Sequence, residues 1–405
     1  MPIRSLELLD KMTVSLFSLA IGFLFCGLFL VPAGSSYFSN IIVIASLSGV
    51  LNYHIGGKRD VGLRDKRLLW IFFIYALVIL VNRQVHGDQS WLMRNLFYII
   101  VFSLFIPRRL ILLDVGIASV ILGGVSIGGL SLWQYHNGLD RIEGYTNAIL
   151  FSQAALVLLI LNLNALYSSS NVILLRVMSS FAIIGTLYTL YQSQSRGVWV
   201  AVVIVIGFVL FYEFRKKPIR LSLLTLGLIM VLGFLYQNST MVQQRVADAA
   251  SDLDKAQANS FDTSWGLRLM AWKSAWFGFV ENPILGVGYD GIEKIKREQL
   301  NMGIVDQFYV DYGIYHAHNQ VMQNLLVRGV FGGVIAIAML FYPILLAGRK
   351  MGWTTAAALI PLGISICSLS DVPLEHQNTL YLYTLSIIYC WLFFEIKQMP
   401  INKND

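Results

Sequence analysis

Apolar residues in this chain come in runs too long for the elements of a soluble domain, separated by short polar stretches. A helix of about 17 to 25 apolar residues crosses a bilayer. On that ruler twelve spans are predicted, near 13–31, 38–51, 68–82, 91–106, 110–133, 148–166, 172–191, 197–212, 221–236, 321–346, 354–369 and 380–394. The predicted fold class is an all-α polytopic membrane protein, with spans one to nine in 1–236, a connecting region in 237–317, and spans ten to twelve with a tail in 318–405. The connecting region holds tryptophans, prolines and glycines but no full-length span, and is expected to carry short helices. Long ordered connections are usually functional, so it is expected to bear the site.

Composition agrees with this pattern. Mean hydropathy is +0.65 and charged residues make up 13% of the chain, about half the roughly 25% of a soluble domain. The net charge of +7 would suggest nucleic acid in a soluble protein. Here the basic residues stand in short clusters between apolar runs, which makes them orientation signals and removes nucleic acid from the expected partners. Arg4 and Lys11 precede the first span; Lys58, Arg59, Arg64, Lys66 and Arg67 fill the second loop; Arg108 and Arg109 mark the fourth. Arg215, Lys216, Lys217 and Arg220 fill the eighth, Arg349 and Lys350 the tenth, and Lys397 and Lys403 follow the last span. All lie on one side if the spans alternate, so both termini are predicted cytoplasmic and 237–317 outward. The first apolar stretch has no small-residue cleavage pattern behind it and is expected to be a retained span. Cys26, Cys367 and Cys390 lie within apolar runs, where free cysteine acts as a small hydrophobe.

Candidate chemistry gathers on the outward side. Tyr315-His316-Ala317-His318-Asn319 is polar and opens directly into an apolar run whose Gly329, Gly332 and Gly333 suggest a close-packing helix face. The positive end of that helix would favour a neutral imidazole at His318, a form able to accept a proton; the alternative is a helix cap or a satisfied polar contact. In the connecting region Trp265, Leu269, Trp272 and Trp276 recur at helical spacing and predict a short helix along the membrane surface, flanked by Arg268 and Lys273. Arg268 either snorkels to lipid headgroups or grips a diphosphate with its planar fork, and the Lys273 stem either helps hold phosphate or covers the apolar stripe. Arg196 interrupts the polar hinge Tyr191–Gly197 at the outer end of two spans, where orientation gives no reason for a cation. It too either snorkels or faces a cavity.

Asp252-Leu253-Asp254 is formally a carboxylate pair suited to magnesium or manganese. Its surroundings of Ala, Ser and Lys read better as a solvated helix start. His316 and His318 are too close in sequence for the helical metal pair with a spacing of four, and no metal or cofactor is expected. Asp371, Glu375 and His376 crowd the last outward loop and either orient an acceptor or are the ordinary polar residues of a water-facing turn, the preferred reading.

These residues resemble a known family. His318-Asn319, nine residues, then Gly329-Val330-Phe331-Gly332 looks like the histidine motif of bacterial O-antigen ligases. Arg268 leading to Asn282-Pro283-Ile284-Leu285-Gly286-Val287-Gly288 resembles an arginine-to-proline-glycine segment of that family, shared with O-antigen polymerases. Ser195-Arg196-Gly197 resembles its serine-arginine-glycine element, and Arg141-Ile142-Glu143-Gly144 with Asn147 is similar to a weaker one. The resemblance implies transfer of glycan from undecaprenyl diphosphate to a sugar hydroxyl of lipid A-core, at the periplasmic face of the bacterial inner membrane, among membrane lipids. It implies His318 as base, Arg196 and Arg268 on the departing diphosphate, Arg141, Asn319, Lys273 and His316 as substrate-binding residues, inversion at the anomeric carbon and no metal. The polymerase reading, with a second lipid-linked glycan as acceptor, stays open, although the histidine-asparagine-glycine spacing favours the ligase. A transporter or flippase should show internal repeats or paired broken helices; neither is legible, and the charged residues within spans are expected near their ends.

Overall fold

The computed structural model describes residues 3–168, 172–257 and 261–398, which form sixteen α-helices, one short 3₁₀ helix and no strand. The first nine are α1 (Ile3–Cys26), α2 (Gly34–His54), α3 (Arg67–His86), α4 (Ser90–Phe105), α5 (Leu110–His136), α6 (Ala148–Ser168), α7 (Ile173–Gln192), α8 (Arg196–Phe214) and α9 (Pro218–Asn238). Four helices then form the connecting region: α10 (Thr240–Gln257), α11 (Ser264–Glu281), α12 (Ile292–Asn301) and α13 (Gln307–Asp311). The chain closes with α14 (Gln320–Lys350), α15 (Ala356–Cys367), the 3₁₀ helix Pro373–Glu375 and α16 (Gln377–Lys397). Ten helices are long and apolar enough to cross a membrane, and α4 and α15 are shorter apolar helices. Those twelve are the twelve predicted runs.

The first span departs from its predicted bounds. Its helix starts earlier and stops at Cys26, where a turn from Gly27 to Ala33 around Pro32 intervenes. The polar start is helical because Asp10 has partners: Arg109 lies 3.3 Å away and Lys58 3.8 Å away.

Spans differ widely in how much protein surrounds them. In its most apolar window α16 is 89% buried and α6 78%, whereas α9 is 0% buried and packs mainly along α8 and α10. The former pair form the centre of the bundle and the latter its rim. Helices without a water-driven core come close through small residues, and α5 meets α7 in this way: a Cβ on Gly128 would fall 2.5 Å from the Gly185 Cα.

The basic clusters converge on one end of the bundle. Asp65 holds Arg67 at 2.7 Å and Lys350 at 2.5 Å, the Glu395 carboxylate accepts from the Arg64 and Asp65 amides, and Thr354 donates to Glu213 beside the 215–220 cluster. The first helix and the last therefore share this end. Lys403 lies outside the described residues. The opposite end carries α10 to α13 and the predicted site.

Two expectations about the tenth span are corrected. Gly329 in α14 has φ 62° and ψ −155°, so the helix is broken there instead of presenting a continuous glycine face. The loop 282–288 is spliced into the break: the Val287 and Gly288 amides donate to the Leu326 and Val327 carbonyls at 2.9 Å, and the Val330 amide to Pro283 at 2.8 Å. Backbone groups freed at membrane depth need such partners. No side chain fits the junction, since a Cβ on Gly329 would lie 2.3 Å from the Ile284 oxygen and one on Gly286 2.5 Å from the Leu326 oxygen. Arg328, just before the break, is a fully buried charge well inside the helix, not near its end. It bonds both oxygens of Asp88 (2.7 and 3.0 Å) and both of Glu375 (2.7 and 3.2 Å), with the Tyr75 hydroxyl at 3.1 Å. Tyr289 donates to Glu375 at 2.8 Å, so this centre ties the α3–α4 loop, the spliced loop, α14 and the 3₁₀ helix together.

Candidate active site

A cavity of about 450 Å³ opens at the end opposite the basic clusters. Its lining includes Arg141, Arg196, Arg245 and Arg268 against a single carboxylate, Asp252, with Gln153, Gln194, Ser195 and Ser370 as further polar residues. Different elements deliver each arginine. Arg141 comes from the α5–α6 loop, where Gln134 anchors the backbone by accepting from Gly144 at 2.9 Å and donating back to its carbonyl at 2.8 Å. The Arg141 guanidinium donates to the Ser193 carbonyl at 2.8 Å. Burial, and then the charges of Arg245, Arg268 and Arg196, hold it below the ordinary arginine value.

Arg196 is the first residue of α8, and Gly197 lets that helix start approach the α15 end, because a Cβ there would fall 2.5 Å from Ser370 Oγ. Helix starts present free amides and the positive end of the dipole, a setting for anions. The Arg196 guanidinium donates to Asp252 at 3.0 Å. Asp252 sits in the second half of α10 and is paired with a guanidinium, so the predicted solvated helix start is wrong. Among the described residues no group of three or more His, Cys, Asp or Glu side chains is placed to hold a metal ion.

Arg268 stands on α11 and donates to the Ser264 carbonyl at 3.2 Å. The buried face of that helix is Leu267, Met270, Ala271, Ser274, Ala275 and Gly278. The tryptophan face is the other one, with Trp265 and Trp272 half-buried and Trp276 exposed. Arg268 lies three and four residues from Trp265 and Trp272 and shares their face, so it lines the cavity and does not flank the stripe. Burial lowers its pKa, which Asp371 opposes and Arg196 reinforces. Lys273 is exposed and is not part of the lining, because five residues along a helix carry it round to another face.

The histidines stand beside the cavity. His316 and His318 have ring centroids 4.2 Å apart, and His376 is 5.9 Å from His316. Asn319, predicted to bind substrate, caps α14: its side-chain oxygen accepts from the Val321 and Met322 amides at 3.1 Å. Its amide reaches Leu369 at 3.4 Å, and the Gln320 amide donates to Ser368 at 3.0 Å, which ties the histidine turn to the α15 end lining the cavity. Lys296, buried on α12, donates to the Ile314 carbonyl from the other side, and the Ala317 amide donates to Gln323 at 2.7 Å. His318 takes a left-handed backbone, φ 47°, as does Gln194 at φ 53°. Such strain costs of order 1–3 kcal/mol and persists where the surroundings enforce it.

Burial, then the charges of His316 and Arg268, push the His318 imidazole down to about 3. Burial, rather than a helix dipole, is thus the main cause favouring the neutral form of His318. Burial lowers His316 in the same direction, opposed by Asp371. Five buried polar atoms here have no hydrogen-bond partner: Gln153 Oε1, Arg268 Nε, Trp272 Nε1, His316 Nδ1 and His318 Nδ1. Buried polar atoms are nearly always paired, so these atoms are open to polar contacts with a ligand.

The structure thus brings Arg141, Arg196 and Arg268 into one cavity, sets His316 and His318 beside it, makes Asn319 a cap and leaves Lys273 out. Sequence reasoning missed Arg245, which donates to the Gln194 oxygen at 2.6 and 3.1 Å. Its signal was present, since Arg245, Ala249 and Asp252 fall at helical spacing on one face of α10. It also took Asp371, Glu375 and His376 for a water-facing turn. Asp371 and Glu375 are buried, and Asp371 accepts from Gln153 of the cavity wall at 2.8 Å.

Residues 181–337 match a family model described as O-antigen ligase. Over this segment the chain is similar to the O-antigen ligase family. The matched residues take in Arg196, Arg245, Arg268, both histidines of the turn and the broken part of α14. A glycosyltransferase-like function of the ligase or polymerase type follows at the level of the family. An uncharacterized protein of Haemophilus influenzae is 24% identical over 346 residues, covering 81% of this chain and 83% of the relative.

Proposed function

We propose that this protein is an O-antigen ligase that transfers glycan from undecaprenyl diphosphate to a sugar hydroxyl of lipid A-core at the periplasmic face of the inner membrane. The observation that carries the reading is a cavity with four arginines against one carboxylate beside a neutral imidazole. Leaving-group departure needs positive charge where the diphosphate gains negative charge, and Arg196, Arg268, Arg141 and Arg245 supply it without a metal. An acceptor hydroxyl needs a base as it attacks, and His318 takes that proton. Direct attack inverts the anomeric carbon.

The low basicity of His318 in the free protein fits this order of events. Part of its depression comes from the Arg268 charge, which a bound diphosphate offsets, so donor binding raises the basicity of the imidazole before the hydroxyl attacks. His316, in ring contact, holds its orientation. Residues 237–317 are the periplasmic region, and the basic end faces the cytoplasm.

The experiment is to delete the gene and analyse both lipopolysaccharide and lipid-linked glycan. Lipopolysaccharide without O chain, with polymerised glycan accumulating on undecaprenyl diphosphate, is expected. Accumulation of single repeat units would instead identify a polymerase. In the purified reaction chelators should leave transfer intact; loss reversed by magnesium or manganese would overturn the metal-independent mechanism.

A further inference from the structure

We infer that Asp252 is an internal counter-ion of the arginine cavity, competing with bound diphosphate for Arg196 and easing release of the diphosphate product. The inference rests on reading the cavity as a diphosphate site. Asp252 is the one carboxylate in the lining, and its Oδ2 lies 3.0 Å from the Arg196 guanidinium. It is carried by α10, whose Arg245, Ala249, Asp252 and Leu253 form that wall of the cavity. The same helix thus brings a further cation and the only anion. Helix α10 leans on α11 and on α9, and α9 has no buried residue, so this wall is held to the bundle mainly by its own polar contacts.

Charge balance gives the carboxylate a purpose. In the transfer, the bond from the anomeric carbon to the diphosphate oxygen breaks and a bond from the acceptor oxygen to that carbon forms. The acceptor proton passes to His318, and the electron pair stays on the diphosphate. The departing lipid diphosphate therefore carries one more unit of negative charge than the glycan-bearing diester that entered. Four arginines alone would hold the product more tightly than the substrate, and release limits many enzymes. Repulsion from a fixed carboxylate grows in proportion to ligand charge, so Asp252 weakens product binding more than donor binding and retakes Arg196 as the product leaves. A purely structural ion pair predicts the opposite sign: breaking it would loosen α10 and weaken both ligands.

The test measures binding to the full-length protein in detergent, using a short polyprenyl diphosphate and the same diphosphate esterified to one sugar. Asp252→Asn should bind the free diphosphate about fivefold more tightly and the sugar diester only about threefold more tightly, as expected for one charge removed several ångströms away at intermediate dielectric. Asp252→Glu, which restores the carboxylate, should return both values towards those of the natural protein. Weaker binding of both probes by Asp252→Asn, or equal tightening of both, would overturn the inference while leaving the diphosphate reading in place. Failure of the natural protein to bind either probe would remove that reading and this inference with it.

Discussion

Arg328 and the cavity arginines are the same side chain put to opposite uses. Arg328 is fully buried and meets two carboxylates, two of its nitrogens bonding Asp88 and two bonding Glu375. At the cavity four guanidiniums line the wall with one lining carboxylate, Asp252, which pairs with Arg196, while Arg245 has Asp248 at 3.6 Å and Arg268 keeps a buried Nε without a partner. A buried charge is tolerated only when paired. The centre at Arg328 is therefore complete and holds the fold, whereas the cavity keeps an excess of guanidiniums over lining carboxylates. The two are physically linked: Glu375 belongs to the first, the adjacent His376 meets His316 edge-to-face, and Gln320 donates to Glu375 at 3.3 Å from the turn that carries His318.

The largest effect should come from breaking the complete centre. Arg328→Met leaves Asp88 and Glu375 buried without their cation, at a cost of about 3 to 5 kcal/mol. Thermal unfolding in detergent should show a large loss of stability, or no folded protein. A melting temperature equal to that of the natural protein would erase the distinction between the two arginine settings.

Cavity arginines should behave the other way round. Arg196→Lys and Arg268→Lys keep the charge but lose the fork, each forfeiting a charge-assisted hydrogen bond worth about 1.5 to 3 kcal/mol, or roughly a tenfold to hundredfold drop in transfer. Melting temperatures should stay close to that of the natural protein. Normal transfer rates in both variants would take these arginines out of the site.

The histidine makes a pH prediction. With His318 held at about 3, its neutral form persists far below the usual imidazole range. Transfer should therefore not fall between pH 7.5 and 6 through protonation of this residue, and His318→Ala should abolish transfer at every pH while His316→Ala is milder. The same shift couples to stability. The unfolded chain, with an ordinary value of 6.5, takes up the proton first, so the contribution of this group is full above pH 6.5 and is lost as pH falls towards about 3. A transfer rate that halves near pH 6.5 both in the natural protein and in His316→Ala would contradict the burial argument.

The smallest effect belongs to Lys273. It lies outside the cavity lining and is exposed, so Lys273→Ala should change transfer by less than about twofold, within the ±0.5 kcal/mol of ordinary surface substitutions. A loss comparable to that of Arg268→Lys would extend the site onto another face of α11.

What could be read from residue order alone follows the range of the forces involved. Twelve apolar runs became twelve apolar helices because a bilayer span is a local property of length and hydropathy. Basic loops gathered at one end because alternation of spans counts them out. His318, Arg196 and Arg268 were legible because each is polar where local pattern gives no reason for it. Tertiary structure alone decided which charges are paired. Asp88, Arg328 and Glu375 are distant in sequence, and their meeting depends on a helix break filled by the 282–288 loop, a contact that no periodicity reports. Asp252 became a partner of Arg196 across 56 residues of chain. Electrostatic roles of this kind are set by burial and by which opposite charge stands within a few ångströms, and both exist only once the helices have packed.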